Sequence, residues 1–148
     1  MKMNKLRYIL AAVTLCLGLA ACQNNGHIGY LFGTWRVDSF TIDGVPQPEA
    51  AARTLISFQS DIILVQEIID DDGSFANHIG TWREEDGRMY LIFRTDEENL
   101  AFSPPAWLGW PADEEFSLAV SDRSSRQVTW TWTAPDGATY IYKLHKTW

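Results

Sequence analysis

The sequence predicts an all-β fold, an eight-stranded antiparallel up-and-down barrel, on three observations. Apolar and polar residues alternate with a period of two along most of the chain after residue 30, which is the pattern of a half-buried strand. Turn pairs such as Asp43-Gly44 and Asp86-Gly87 separate neighbouring runs at hairpin length. Eight such runs follow one another, and closing eight strands into a barrel removes the exposed sheet edges.

The elements follow one another in a simple order along the chain. The predicted strands are residues 31–42, 54–58, 62–69, 75–83, 88–94, 115–120, 127–133 and 138–146. A weak helix is predicted over residues 48–54, where it would cap the sheet. The alternation is clearest in the last two strands, whose apolar faces contain Val128, Trp130 and Trp132, and Tyr140, Tyr142 and Leu144. These faces are predicted to point into the barrel.

The first 21 residues have the three parts of a secretory signal. Residues 1–7 contain three cations and no acid, residues 8–19 are apolar, and small residues follow. Leu19-Ala20-Ala21-Cys22 resembles the lipobox of bacterial lipoproteins, which implies acylation of Cys22, with palmitate-type chains, and cleavage before it. The predicted organisation is therefore a signal peptide over 1–21, a lipidated tether over 22–29 and a barrel domain over 30–148.

The residue after the predicted lipid site indicates where the protein is sorted. Gln23 stands where an Asp would imply retention at the inner membrane, so the outer membrane is predicted. Residues 24–27 contain no acid, and this favours the periplasmic face over the cell surface. The expected partner is thus the membrane, through lipid on Cys22.

Charge and cysteine content exclude several classes of function. The chain has 12 basic and 19 acidic residues, and the leader removes three of the basic ones, so the mature net charge is −10. Such a balance argues against nucleic-acid binding. Cys16 leaves with the signal and Cys22 carries lipid, so the mature fold is predicted to have no disulfide.

A four-residue string occurs twice, as Gly33-Thr34-Trp35-Arg36 and Gly80-Thr81-Trp82-Arg83. Together with the final Tyr140–Lys143 segment, it makes the mature chain resemble the small lipocalin-like lipoproteins of Bacteroidetes-type bacteria. The resemblance implies a barrel whose closed end is filled by the first of these tryptophans, with Gly33, Trp35, Gly80 and Trp82 as structural positions. The chain departs from the lipocalin pattern because no arginine on the last strand can stack on Trp35; Lys143 or Lys146 is expected to replace it.

Residues 103–111 form the most unusual segment, SPPAWLGWP. Its prolines exclude a central strand, because they stiffen the backbone and remove amide donors. Trp107 and Trp110 are therefore candidates to line the barrel mouth and stack on a flat ligand, or alternatively to fold over that end as a lid. Inside the barrel, the candidate ligand-binding residues are Trp130, Trp132, Tyr140 and Tyr142.

The sequence offers little for catalysis or metal binding. The mature chain has no free cysteine, no nucleophile elbow and no phosphate loop, and its three histidines lack metal-ligand spacing. We therefore expect no enzyme activity, metal or cofactor. Two alternatives stay open: a membrane-anchored barrel that binds a small apolar or aromatic ligand, and a filled barrel that acts as an interaction, accessory or inhibitor module for another envelope protein.

Overall fold

The computed structural model describes residues 28–147, which form one closed antiparallel barrel. The predicted signal peptide, Cys22 and most of the tether lie outside the described residues. The strands are β1 (Thr34–Ile42), β2 (Val45–Pro46), β3 (Thr54–Gln59), β4 (Ile62–Ile68), β5 (Phe75–Glu85), β6 (Arg88–Ile92), β7 (Phe116–Ser121), β8 (Gln127–Thr133) and β9 (Thr139–Lys146). The only α-helix in the described part is a short one, α1 (Pro48–Ala52).

The wall of the barrel consists of β1 and β3 to β9, each paired with its neighbour in the chain, and β9 returns to pair with β1. The predicted eight-stranded up-and-down barrel is therefore confirmed. The two-residue strand β2, which the sequence did not indicate, forms a small hairpin with the end of β1. The register between β1 and β9 shifts between Val37 and Ser39, and such a bulge bends the strand around the barrel.

Trp35 fills the end of the barrel at which the described chain begins, here called the sealed end. A 3-10 turn, Gly29–Leu31, lies just before β1, and the Trp35 indole N–H donates to the Leu31 carbonyl at 2.9 Å. Lys146 Nζ lies 5.0 Å from the centre of the Trp35 ring and donates to the Tyr30 carbonyl at 2.6 Å. Of the two lysines expected beside Trp35, Lys146 occupies the position, whereas Lys143 is exposed.

The second copy of the repeated string lies on β5 and also directs its tryptophan towards the sealed end. The backbone N–H of Trp82 donates to the Asp61 carbonyl in the turn after β3, and its ring packs edge-on against Phe58 with centres 5.1 Å apart. A Cβ on Gly80 would lie 2.8 Å from the Ile92 carbonyl oxygen and 2.9 Å from the Phe93 ring. Glycine is required there because it lets the Phe93 ring pack against the strand backbone.

The inward faces of the strands form one apolar core. Trp35, Ile63, Val65, Met89, Leu91, Leu118 and Trp130 have no exposed surface, and other aromatic side chains surround them. Val128, Trp130, Trp132, Tyr142 and Leu144 point inward as the alternation predicts. Burial of such side chains is the main source of stability in a fold of this size.

Candidate functional site

A loop between β6 and β7, residues 93–115, covers the end of the barrel opposite the sealed end. Its base is closed by the Asp113 backbone N–H, which donates to the Phe93 carbonyl at 2.8 Å. The Asp113 carboxylate accepts hydrogen bonds from the Thr95 hydroxyl and from the Thr95 backbone N–H, the latter at 2.8 Å. These bonds, led by that from the hydroxyl, hold the pKa of Asp113 below its usual value.

The loop turns inward at Gly109. This residue has φ of +74°, a conformation that favours glycine. A Cβ there would lie 2.6 Å from the Tyr140 ring, so the site also excludes a side chain for lack of space. The turn places Trp110 inside the barrel, where only 5% of it is exposed.

Trp110 lies among three aromatic rings that surround it. The ring centres of Phe93 and Tyr142 are each 5.8 Å from that of Trp110, and the centre of Phe116 is 5.7 Å away. These separations are within the range in which tilted and edge-on aromatic pairs attract. The indole N–H of Trp110 donates to the Tyr142 hydroxyl oxygen at 3.1 Å.

Tyr142 links the barrel wall to the loop. Its hydroxyl donates to the Leu108 carbonyl at 2.6 Å while it accepts from Trp110. Burial raises the pKa of Tyr142 far above its usual value, and the hydrogen bond from Trp110 offsets only part of this rise. The phenol therefore stays protonated at neutral pH and can serve as both donor and acceptor.

The ring contacts extend across the whole loop-covered end. Trp132 packs against Tyr140 at 4.8 Å and against Phe116 at 5.8 Å. Phe40 stacks on Tyr142, also at 4.8 Å. We call the set of seven rings the aromatic cluster: Phe40, Phe93, Trp110, Phe116, Trp132, Tyr140 and Tyr142.

Trp107 anchors the loop outside this cluster and is half-buried. Its indole N–H donates to the Thr54 hydroxyl at 2.8 Å, and Thr54 in turn donates to the Ala50 carbonyl of α1 at 2.7 Å. Its ring meets His78 edge-on at 5.1 Å. His78 Nδ1 lies 2.8 Å from the Ser103 carbonyl and must carry a proton there, because a carbonyl can only accept.

The structure thus brings four of the six predicted ligand-binding residues into contact: Trp110, Trp132, Tyr140 and Tyr142. Trp107 lies apart from them, against Thr54 of β3 and His78 of β5. Trp130 is also apart, one layer deeper beside Tyr142 in the β8–β9 register, with its ring edge-on to Phe58 at 6.1 Å. Within residues 28–147, the buried indole N–H of Trp130 has no hydrogen-bond partner.

Sequence reasoning missed three residues of the cluster, Phe40, Phe93 and Phe116. A signal was present for Phe93, because it continues the inward alternation of Met89 and Leu91 beyond the end of β6. Phe116 is likewise in phase with Leu118 on β7. The position of Trp110 had no such signal, because the loop that carries it has no regular period.

The site combines aromatic surface with a few hydrogen-bonding groups. In the described part of the chain, no three His, Cys, Asp or Glu residues are grouped so that they could hold a metal ion. None of the helices within residues 28–147 has the length and apolar character needed to cross a bilayer. What the arrangement can do is hold a flat ring and accept one hydrogen bond from it at Tyr142.

Comparison with known proteins supports the class of fold. No known family profile and no curated protein sequence matches the chain. Among solved structures, a lipocalin-like protein from Bacteroides uniformis matches with 17% identity over 78% of this chain and 98% of its own, with a TM-score of 0.57. An uncharacterised protein from Bacteroides eggerthii matches with 16% identity over 76% and 98%, with a TM-score of 0.56.

A redesigned β-barrel matches at a TM-score of 0.50, with 18% identity over 82% of this chain and 96% of its own. The described chain therefore belongs to the class of closed eight-stranded up-and-down barrels. More particularly, it has the lipocalin-like fold of the two Bacteroides proteins, as its repeated Gly-Thr-Trp-Arg string indicated. At these identities, the comparison concerns the fold alone.

Proposed function

We propose that this protein is a lipid-anchored lipoprotein of the cell envelope whose barrel binds a small apolar or aromatic ligand at the loop-covered end. The observation that carries the proposal is the position of Trp110. It comes from a loop rather than from the wall, and it fills a space surrounded by Phe93, Phe116 and Tyr142. Small-molecule sites are mostly apolar recesses with a few well-placed polar groups, and this recess has that composition.

The proposal is one of binding rather than catalysis. The polar groups in contact with the two loop tryptophans are the Tyr142 hydroxyl at Trp110, and the Thr54 hydroxyl and the His78 ring at Trp107. Tyr142, the polar group in contact with Trp110, stays protonated and is therefore suited to orienting a bound ring rather than to removing a proton.

Three features support anchoring at the outer membrane. The leader and lipobox are those of a lipoprotein signal, and Gln23 follows Cys22. Ile28 is buried at the sealed end, so only the five residues 23–27 separate it from Cys22, a distance of about 20 Å at most in an extended chain. The loop-covered end would then face away from the membrane, towards the aqueous phase of the periplasm.

The anchor is tested in the native host with Cys22→Ala whose residues 1–21 are replaced by a secretory signal that is cleaved without acylation, because the substitution also removes the cleavage site of the protein's own leader. We expect the wild-type protein to sediment with the outer membrane and the variant to be soluble. Mass spectrometry of the N-terminal peptide should show acyl chains on Cys22 alone. Sedimentation of a variant that has no acyl chains would contradict lipid anchoring.

The ligand is tested on the same soluble variant, isolated from its host without denaturation. Native mass spectrometry should show a small molecule that stays with the barrel and is lost on unfolding. Protein purified from a heterologous cytoplasm is the control, because there the site is filled by Trp110 or by an unrelated compound. A bare mass from several growth conditions would argue against ligand binding.

A second candidate function is that of an interaction module for another envelope protein. A groove of about 270 Å³ on the outer wall favours it, lined by Ile62, Ile79 and Ile92 of β4 to β6 and by Phe102 of the loop. Ile62 and Phe102 are 40% and 36% exposed, and together with Ile79 and Ile92 they form a continuous apolar surface on the outside of the wall. A partner that contributes an apolar side chain would fit, and its retention by the wild type but not by Phe102→Ser would support this alternative.

A further inference from the structure

We propose that Trp110 is an internal occupant of the ligand site, and that the ligand is a small planar aromatic molecule with a hydrogen-bond donor that takes its place. This inference rests on the proposed function and adds to it the chemical class of the ligand and the position that the ligand occupies. The indole of Trp110 serves as a guide to both, because the site is already complementary to it.

Two of the three rings around Trp110 lie on wall strands and the third directly follows one, whereas Trp110 lies within the loop, several residues from either end. Phe93 follows β6, Phe116 begins β7 and Tyr142 lies in the middle of β9. All three are buried: Phe116 and Tyr142 lie on paired wall strands, and Phe93 directly follows β6, where its carbonyl accepts from the Asp113 N–H. Removing the indole alone would leave a recess with the shape of an indole, lined by three rings and open to one hydroxyl oxygen.

The hydroxyl oxygen of Tyr142 determines which rings fit best. It receives the Trp110 N–H at 3.1 Å and uses its own proton for the Leu108 carbonyl at 2.6 Å. A replacement ring must therefore donate to this oxygen, because the phenol proton is already engaged. An aromatic hydrocarbon would fill the space but would leave a buried acceptor without its partner, which costs free energy.

The loop is built so that Trp110 can move without its neighbours. Gly109 lies between Leu108, which is bonded to Tyr142, and Trp110, and its φ of +74° marks the point at which the chain turns. Residues 94–100 are all exposed, so little of the first half of the loop packs on the barrel. Swinging the indole out about Gly109 would leave the Leu108 and Trp107 anchors in place.

The first test uses Trp110→Ala titrated with indole and with benzothiophene, which has a similar shape but no N–H. By calorimetry, we expect the variant to bind indole about three- to tenfold more tightly than benzothiophene, the ratio that one hydrogen bond provides. In Trp110→Ala/Tyr142→Phe, which keeps the ring and loses the hydroxyl, the ratio should fall to about one. Trp107→Ala is the matched control, and its affinity for indole should equal that of the wild type, because Trp107 lies outside the recess.

A folded Trp110→Ala protein that binds neither compound, or binds both equally, would overturn the proposal. Circular dichroism establishes whether the variant is folded. Because the variant could fail to fold, the wild-type chain is also labelled with 5-fluorotryptophan and titrated with indole. The ¹⁹F resonance of Trp110, identified by its loss in Trp110→Phe, should move to a solvent-exposed position while that of Trp35 does not. Indole binding without this movement rules out displacement of Trp110.

Different results would overturn the proposed function and this inference. A host ligand that stays on the wild-type barrel with the Trp110 resonance unchanged would support the proposed function and overturn this inference. Indole binding by Trp110→Ala, with movement of the Trp110 resonance in the wild type, would support the inference even if the host protein proves to be free of ligand.

Discussion

The two ends of the barrel are both filled by a tryptophan, but the two tryptophans are held in different ways. Trp35 belongs to a wall strand, is fully buried and donates to Leu31, only four residues away. Trp110 belongs to a loop and donates to Tyr142, a residue 32 positions further along the chain. At the sealed end, the tryptophan that fills the barrel is therefore part of the wall. At the other end, it is part of a separate loop.

The two ends of the barrel also differ in the charged side chains that contact their aromatic rings. At the sealed end, Lys146 lies over Trp35, and Arg123 lies 4.3 Å from the centre of the Tyr30 ring while it pairs with Glu84 at 2.7 Å. Burial, reinforced by the nearby Glu84 carboxylate, raises the pKa of Tyr30 above its usual value. The aromatic cluster at the loop-covered end contains no charged side chain. The sealed end is therefore held by cation–ring and ionic contacts as well as by packing, whereas Trp110 at the other end is held by ring contacts and one hydrogen bond.

The largest expected effect is a difference in stability between variants of the two tryptophans. Trp35→Ala should lower the free energy of unfolding by about 3–5 kcal/mol, because the wall cannot close over the cavity. Trp110→Ala should cost about 2 kcal/mol less, because the indole comes from a loop at the end of the barrel and water can enter the recess that it leaves. Urea unfolding followed by circular dichroism measures both. Equal losses would mean that the loop is as much a part of the core as the wall.

The next effect concerns Gly109, at which the loop turns into the barrel. Gly109→Ala combines an unfavourable φ with a contact to Tyr140, and we expect a loss of about 2–3 kcal/mol in the stability of the closed loop. Gly137→Ala is the matched control, since it has φ of +91° and open space around it, and it should cost only about 1 kcal/mol. Hydrogen exchange of the amides of residues 106–110 reports the difference. Similar exchange in both variants would rule out a steric role for Gly109.

A smaller effect tests the sealed end. Lys146→Met keeps the length of the side chain and removes both the cation over Trp35 and the donor to Tyr30, at a cost of about 1 kcal/mol in unfolding free energy. Lys146→Arg should retain most of that stability, because a guanidinium keeps the positive charge over the Trp35 ring and a donor for the Tyr30 carbonyl. If the arginine variant lost as much as the methionine one, the cation would have no part in holding Trp35.

The smallest effect depends on pH at the base of the loop. Hydrogen bonds from Thr95 lower the folded-state pKa of Asp113, so their contribution is present above the unfolded value of about 3.9 and is lost as the pH falls through the folded value. We therefore expect the protection factors of the amides in residues 94–100, which correct for the intrinsic effect of pH on exchange, to fall below about pH 4. In Asp113→Asn, the protection factors of the same amides should be low at every pH. Asp72→Asn, whose carboxylate is bonded to Ser74 in a hairpin turn, is the control and should leave this loop unchanged.

The wall of the barrel could be predicted from the sequence because its strands and turns depend on residues that are close together in the chain. The period of two assigns each side chain to a face, and Asp-Gly pairs place the hairpins, so β8 was predicted with its observed bounds. Ends differ by a few residues elsewhere: the strand predicted over 88–94 ends at Ile92, because the chain turns there into the loop. The helix predicted over 48–54 ends at Ala52, and Thr54 opens β3.

The loop-covered end could be predicted only in part. Composition marked Trp107 and Trp110 as unusual, but it did not show that one anchors the loop outside while the other enters the barrel. That difference depends on Thr54 and Tyr142, which lie 53 and 32 residues away in the chain. Contacts at such separation leave no periodic pattern. The small hairpin of β2 went unpredicted for another reason, since two residues are too few to alternate.

The pairing of β9 with β1 places the first and last described residues at the same end of the barrel. Ile28 precedes the 3-10 turn beside Trp35, and the Thr147 N–H donates to the Thr34 carbonyl at 2.8 Å. A short linker could join them, and new chain ends could be opened among the exposed residues between Asp96 and Leu100. Such a circular permutant would keep every strand pair of the wall. The order in which the strands are connected can therefore be changed, whereas the closed ring of hydrogen-bonded strand pairs would stay the same.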